Sequence, residues 1–225
     1  MYELKTINLG VNCYLIKTNS FFILIDTGFS NKRVELIKEL EKAGCKYGNL
    51  KLIILTHGDT DHTDNAAYIR GRFGAKIAMH KDDVGIVETG NMQYNRKEKP
   101  DKIAFIFKIL TVIFSSFIKP DKFEKFSPDI LFEDGFDLSE YGFDAKIIHI
   151  PGHSKGSIGV LTNDGNFFCG DLVYSAFGKP SSVFIDNLVD YNNSIDKIKK
   201  LDIKIFYPGH GKEFLAEKFF NNKIN

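Results

Sequence analysis

The chain predicts a layered α/β fold in a single domain, and three observations carry that expectation. Strand-like and helix-like pieces alternate along most of its length. Hydrophobic residues make up 43% of the 225, enough for a sizeable core. No internal repeat or low-complexity linker divides the chain.

The elements follow in order. Residues 2–7, 13–17 and 21–25 read as successive strands, separated by turn residues at 10–12 and 18–20. Residues 32–42 place Leu36, Ile37 and Leu40 on one side and charges on the other, the pattern of an amphipathic helix. A short apolar strand spans 52–55, a helix spans 65–72 and stops at Gly74, and a strand spans 76–79. The rhythm then changes. A polar stretch over 91–102, expected to be a solvated loop, precedes an apolar run over 103–118, and Pro120 and Pro128 follow. Strands resume at 130–132, 145–150, 157–161 and 166–169, a helix at 194–201, a strand at 204–207 and a last helix from 212 onward.

Composition excludes several classes. A formal net charge of +1 offers no basic stripe for nucleic acid. Cys13, Cys45 and Cys169 are odd in number and widely spaced, so neither a disulfide framework nor a CxxC site is expected. The opening MYELKTINLG carries no charged leader followed by an apolar run, and a reducing cytoplasmic location is expected. The 103–118 run is broken by Lys108 and is shorter than the roughly 20 residues that span a bilayer, so stable membrane insertion is not expected.

Chemistry concentrates in four loop motifs. THGDTDH places His57, Asp59, Asp61 and His62 just past an apolar strand. PGHSKGS carries His153, FFCGD carries Asp171, and YPGHG carries His210. Imidazole and carboxylate suit zinc, iron and manganese, and a rigid sheet edge can aim such ligands from its loops. Any one of these residues alone is more often an ordinary loop residue. All four motifs in one chain point to a common cause, a metal site.

In that order the motifs resemble those of the metallo-β-lactamase-fold hydrolases, as do NCYLI at 12–16 and LIDTG at 24–28, and the resemblance covers nearly the whole chain. It implies a four-layer αββα sandwich over 1–225, with a helical insertion at 88–128 that builds a lid. It implies two divalent metal ions, zinc first. His57, Asp59 and His153 would bind one, Asp61, His62 and His210 the other, and Asp171 would bridge them. Asp26 in LIDTG would orient a ligand, and Gly152, Gly209 and Gly211 would allow tight turns beside the ligands. The implied activity is hydrolysis of a small ester, thioester, lactone or related bond by a metal-bridging hydroxide, with Asp61 orienting that hydroxide.

One position departs from the family. Most members carry His where this chain has Asp59. Three carboxylates and one hydroxide would cancel the four charges of two divalent ions, and the harder oxygen donor would move preference toward iron or manganese. Two further functions follow from that: a diiron-type oxidoreductase, or a degenerate metal-binding module. Fifteen residues follow His210, so a redox role is expected to need a separate electron-donating partner.

Weaker signals have bland alternatives. Tyr174, three residues after Asp171, matches the D-x-x-Y tyrosine of lactone-cleaving relatives, although packing is the commoner role for such a residue. His80 and His149 lack a motif and read as structural, and Cys169 as a small buried side chain with a sulfur ligand as its alternative. The 103–118 segment reads as a lid over the metal site, with sharing across a homodimer as a second arrangement. The expected partner is a small, partly apolar substrate.

Overall fold

The computed structural model describes residues 2–104, 123–176 and 178–221. The chain opens with strands β1 (Glu3–Asn8), β2 (Asn12–Lys17) and β3 (Phe22–Ile25). Helix α1 (Arg33–Lys42), strand β4 (Leu50–Ile54), helices α2 (Thr60–Thr63) and α3 (Ala66–Phe73), strand β5 (Lys76–His80) and helix α4 (Val84–Thr89) come next. They lead to β6 (Lys102–Ile103), β7 (Ile130–Phe132), β8 (Ala145–His149), β9 (Ile158–Thr162), β10 (Asn166–Gly170) and β11 (Phe184–Ile185). Helix α5 (Leu188–Ile198), strands β12 (Ile205–Pro208) and β13 (Phe214–Leu215), and helix α6 (Glu217–Phe220) close the described chain.

Two sheets result. One has the order β1-β2-β3-β4-β5-β7 and the other β13-β12-β10-β9-β8. Their burial follows the period of two that strand geometry imposes. Ile23, Ile25, Leu52, Ile54 and Ala78 point between the sheets, where they meet Ile147, Ile158, Val160 and Phe168. The alternate residues Leu24, Ile53, Leu55, Ile77 and Met79 face a second core with Leu36 and Leu40 of α1 and Ile69 and Phe73 of α3. On the far side, Ile148, Phe167, Cys169 and Phe206 pack against Ile195 and Ile198 of α5 and Phe219 of α6. Helices therefore cover both outer faces, the four-layer αββα arrangement expected, and strands buried on both faces explain the continuous apolar runs in the sequence.

The topology aims four loops at one place. β8 and β9 are antiparallel, as are β9 and β10, so β8 and β10 run in the same direction; β12 is parallel to β10. The loops after β8, β10 and β12 therefore leave one edge of the second sheet. The loop after β4 is tied to that edge where the Ile158 backbone N–H donates to the Thr56 carbonyl at 2.8 Å.

Two local expectations are corrected and a third is refined. Helix α5 begins at Leu188, not at 194, because the Asn187 side chain accepts from the backbone N–H groups of Val189 (3.0 Å) and Asp190 (3.3 Å) and caps it. The segment from 212 onward first forms strand β13, paired with Ile205 and Phe206, before the short α6. Residues 91–102 form the largely exposed loop expected, with Met92, Arg96 and Pro100 partly buried. They form turns that run into β6, which pairs with β11 through Ile103↔Phe184 and Lys102↔Ile185. The helix expected over 103–118 lies outside the described residues, apart from Ile103 and Ala104. No helix among the described residues is long and apolar enough to cross a membrane.

Candidate metal centre

The centre is organised from beneath by Asp26, a buried residue just past β3 with a backbone φ of 60°, a left-handed conformation that Asp tolerates better than most side chains. Its carboxylate accepts three hydrogen bonds, each of 2.8 Å: from the Thr56 backbone N–H, the Thr56 hydroxyl and His62 Nδ1. Having donated its proton to Asp26, the Thr56 hydroxyl accepts from His57 Nδ1 at 3.0 Å. One carboxylate thus orients two imidazoles, directly for His62 and through Thr56 for His57, and leaves each Nε2 turned toward the other donors. His153 is set in the same way, with Nδ1 donating to the Phe184 carbonyl at 3.2 Å. Asp26→Asn is expected to cut metal affinity by about 10–100-fold with little change in fold. A zinc-chelator competition titration measures it, and unchanged affinity would remove Asp26 from this role.

The released atoms converge. Asp61, His62, Asp171 and His210 form one group of donors and His57, His153 and Asp171 another, with Asp171 in both. His62 Nε2 lies 3.6 Å from Asp61 Oδ2 and 3.3 Å from Asp171 Oδ1, and His210 Nε2 lies 3.1 Å from Asp61 Oδ2 and 3.6 Å from Asp171 Oδ2. In the second group, His57 Nε2 and His153 Nε2 are each 3.9 Å from Asp171 Oδ2. Asp59 belongs to neither group, but its Oδ2 lies beside the second, 3.7 Å from His57 Nε2 and 3.1 Å from His153 Nε2. Donors about 2.0–2.2 Å from a tetrahedral ion lie roughly 3.4 Å apart, so both groups are spaced for one ion each. Buried His57 Nε2, His62 Nε2 and Asp171 Oδ1 have no hydrogen-bond partner. Each such atom costs about 1–3 kcal/mol, and three side by side are what a bound cation relieves.

Charge follows the same logic. Burial disfavours the Asp171 carboxylate, but His210, His62 and His57 outweigh it and hold its pKa well below the usual carboxylate range. Asp59 is likewise buried, yet Arg96, His153 and His57 hold its pKa well below that range. Burial pushes the Tyr174 hydroxyl well above the ordinary phenol range, and Asp171 adds to the shift, so Tyr174 stays protonated and is a hydrogen-bond donor. It donates to Asp171 Oδ2 in a short hydrogen bond and stacks on His210 with ring centroids 5.0 Å apart.

Packing leaves no slack around the donors. A Cβ on Gly209 would lie 2.6 Å from His62 Cε1 and also strike the Asp171 carboxylate, so glycine is the residue that fits beside the bridge. Asp83, on the turn after β5 and 1% exposed, accepts from the backbone N–H of Gly58 (2.9 Å) and Gly156 (2.7 Å) and from the Ser154 hydroxyl (2.6 Å). It ties the loop carrying His57 to the loop carrying His153.

Above the donors a cavity of about 320 Å³ is walled by Met92, Ala176, Phe184 and Arg96. All seven predicted ligand residues and Tyr174 therefore meet at one place. Cys169 does not join them; its side chain is buried in the core with α5. His80 and His149 stack on each other at 3.9 Å, with Asp82 beside them, as a separate pair. Asp83 and Arg96 are the two site residues that sequence reasoning missed. Each sits in a polar run whose residue types look solvated, and only long-range contacts mark them out.

Comparison with known proteins agrees with this geometry. The chain matches the metallo-beta-lactamase superfamily over residues 7–210. It is 30% identical over 226 residues to the hydroxyacylglutathione hydrolase GloC of Haemophilus influenzae, covering 94% of this chain and 93% of that one. It is 29% identical to a beta-lactamase-like protein 2 homolog of Caenorhabditis elegans, covering 90% of this chain and spanning only 56% of that protein's length. In structure it is similar to the BLEG-1 B3 metallo-beta-lactamase, with a TM-score of 0.71 at 19% identity over 100% of this chain and 98% of the other. The chain belongs to the metallo-beta-lactamase superfamily.

Proposed function

We propose that the chain is a metal-dependent hydrolase that uses two zinc ions to cleave a small ester, thioester or lactone. The observation that carries this is the set of unpartnered, buried His57 Nε2, His62 Nε2 and Asp171 Oδ1 beneath a cavity lined by Asp171. His57, Asp59, His153 and Asp171 would hold one ion, and Asp61, His62, Asp171 and His210 the other. Bound there, the ions supply a nucleophile from water at neutral pH and polarise an acyl oxygen. Zinc is favoured because four of the seven donors are imidazoles. Asp59, a harder oxygen donor, favours iron or manganese; Arg96 offsets its charge but leaves that donor an oxygen.

The remaining steps fall to the chain's own groups. Asp61, held low despite its burial by His62 and His210, stays ionised and orients the attacking water by accepting its hydrogen bond. Tyr174, kept protonated, would turn its hydroxyl from Asp171 toward the oxygen that gains charge as the acyl group is attacked. Met92 and Phe184 receive the acyl chain and exclude water. The cavity suits a compact acyl group, and the likeness to a hydroxyacylglutathione hydrolase favours a thioester.

The test is zinc content by elemental analysis, followed by turnover of a glutathione thioester, a phenyl ester and a lactone by the zinc-loaded protein. Two zinc ions and chelator-sensitive turnover of at least one substrate are expected. In Tyr174→Phe, kcat should fall about 10²-fold with zinc content unchanged. A protein that loads zinc and cleaves none of the three would refute the hydrolase assignment.

A further inference from the structure

Asp59 does not stand alone. The Arg96 guanidinium forms a close ion pair with Asp59 Oδ1, while Asp59 Oδ2 faces His153 Nε2 and His57 Nε2. The two oxygens of one carboxylate are thus divided between a cation of the protein and the donor group. Arg96 is itself fixed. Its side chain is 7% exposed, and the guanidinium carbon lies 5.6 Å from the centroid of the Phe184 ring. The next residue, Lys97, donates its backbone N–H to the buried carboxylate of Asp186 at 3.1 Å. Phe184 also supplies the carbonyl that orients His153, so β11 braces Arg96 and His153 together.

We infer that Arg96 is a positioning residue that converts Asp59 into a one-oxygen, charge-compensated donor, so that Asp59 and Arg96 together present to a metal what a single neutral imidazole would. Two physical consequences support it. A guanidinium on Oδ1 prevents Asp59 from offering both oxygens and leaves Oδ2 as its donor. The pair has no net charge, so the centre keeps two uncompensated carboxylates, Asp61 and Asp171, and not three. The segment before the 103–118 run thereby completes the metal centre as well as walling the cavity.

The inference rests on the metal-centre assignment, and the test separates the two. Zinc affinity at both steps is measured by chelator competition in the wild type, Arg96→Gln, Asp59→His and the double variant that combines the two changes. Expected is a loss of at least tenfold at one of the two zinc steps in Arg96→Gln, with the other step unchanged. In the Asp59→His background the same change should cost less than twofold, because no carboxylate remains to be positioned. A wild type that binds no zinc would overturn the metal centre itself. Given two zinc ions in the wild type, three results overturn the role of Arg96 alone: unchanged affinity in Arg96→Gln, tighter binding there, or an equal loss in both backgrounds. Should Arg96→Gln fail to fold, Arg96→Lys supplies the same cycle, since lysine keeps the charge but loses the planar fork. Its expected loss is smaller than tenfold, and again absent in the Asp59→His background.

Discussion

Asp171→Ala is expected to lose zinc from both halves of the centre and to lower kcat/KM by a thousand-fold or more, about 4 kcal/mol at 1.36 kcal/mol per decade. Its two oxygens reach both donor groups: Oδ1 lies 3.3 Å from His62 Nε2, and Oδ2 lies 3.6 Å from His210 Nε2 and 3.9 Å from His57 Nε2 and from His153 Nε2. No other side chain reaches both groups among the described residues. Removing the carboxylate also strips the partner from the Tyr174 hydroxyl. The fold should survive, because alanine fits where Asp171 stands and the core packing on either side is unchanged. Zinc content and chelator competition check this, alongside thermal unfolding. A variant that keeps two zinc ions and wild-type turnover would sink the bridging assignment.

The second large effect is on stability. Asp83→Ala is expected to lower the unfolding free energy by about 3–5 kcal/mol. The carboxylate is buried and accepts from Gly58, Gly156 and Ser154, and its loss leaves buried N–H groups without a partner. Ser154 retains a contact with the Ser157 hydroxyl at 2.7 Å, so the penalty falls on the two glycine amides. Because those amides belong to the loops of His57 and His153, zinc affinity should fall together with stability. Urea denaturation of the metal-free protein isolates the first effect. A change in midpoint equivalent to less than about 1 kcal/mol would show that the two loops do not depend on Asp83.

Most of the frame was legible from the chain, because burial on two faces leaves a strong signal. Runs such as 52–55 and 167–169 are apolar in succession, and the turn residues around them punctuate clearly. Helix α3 ended where Gly74 was expected to end it, in a left-handed C-cap with φ 70°. The start of α5 was misplaced because exposed Leu188 and Val189 carry no helical periodicity, and the cap on Asn187 defines it. The two-residue strands β6 and β11 were invisible, since a pairing that short is decided by its partner and not by propensity.

By itself the sequence determined which side chains would gather at one sheet edge, because residue type and strand-end position are local properties. His57, Asp61, His62, His153, Asp171 and His210 needed no tertiary contact to be found. What Asp59 does was decided only in three dimensions. Its charge and reach depend on Arg96, 37 residues away in the chain, which is brought to it by the docking of 91–103 on β11. The same holds for Asp83, 25 residues from Gly58 and 73 from Gly156. A donor's identity is written in one residue. The electrostatic state of that donor is the sum over whatever the fold places beside it, and it is set once packing has removed the water that would otherwise screen each charge.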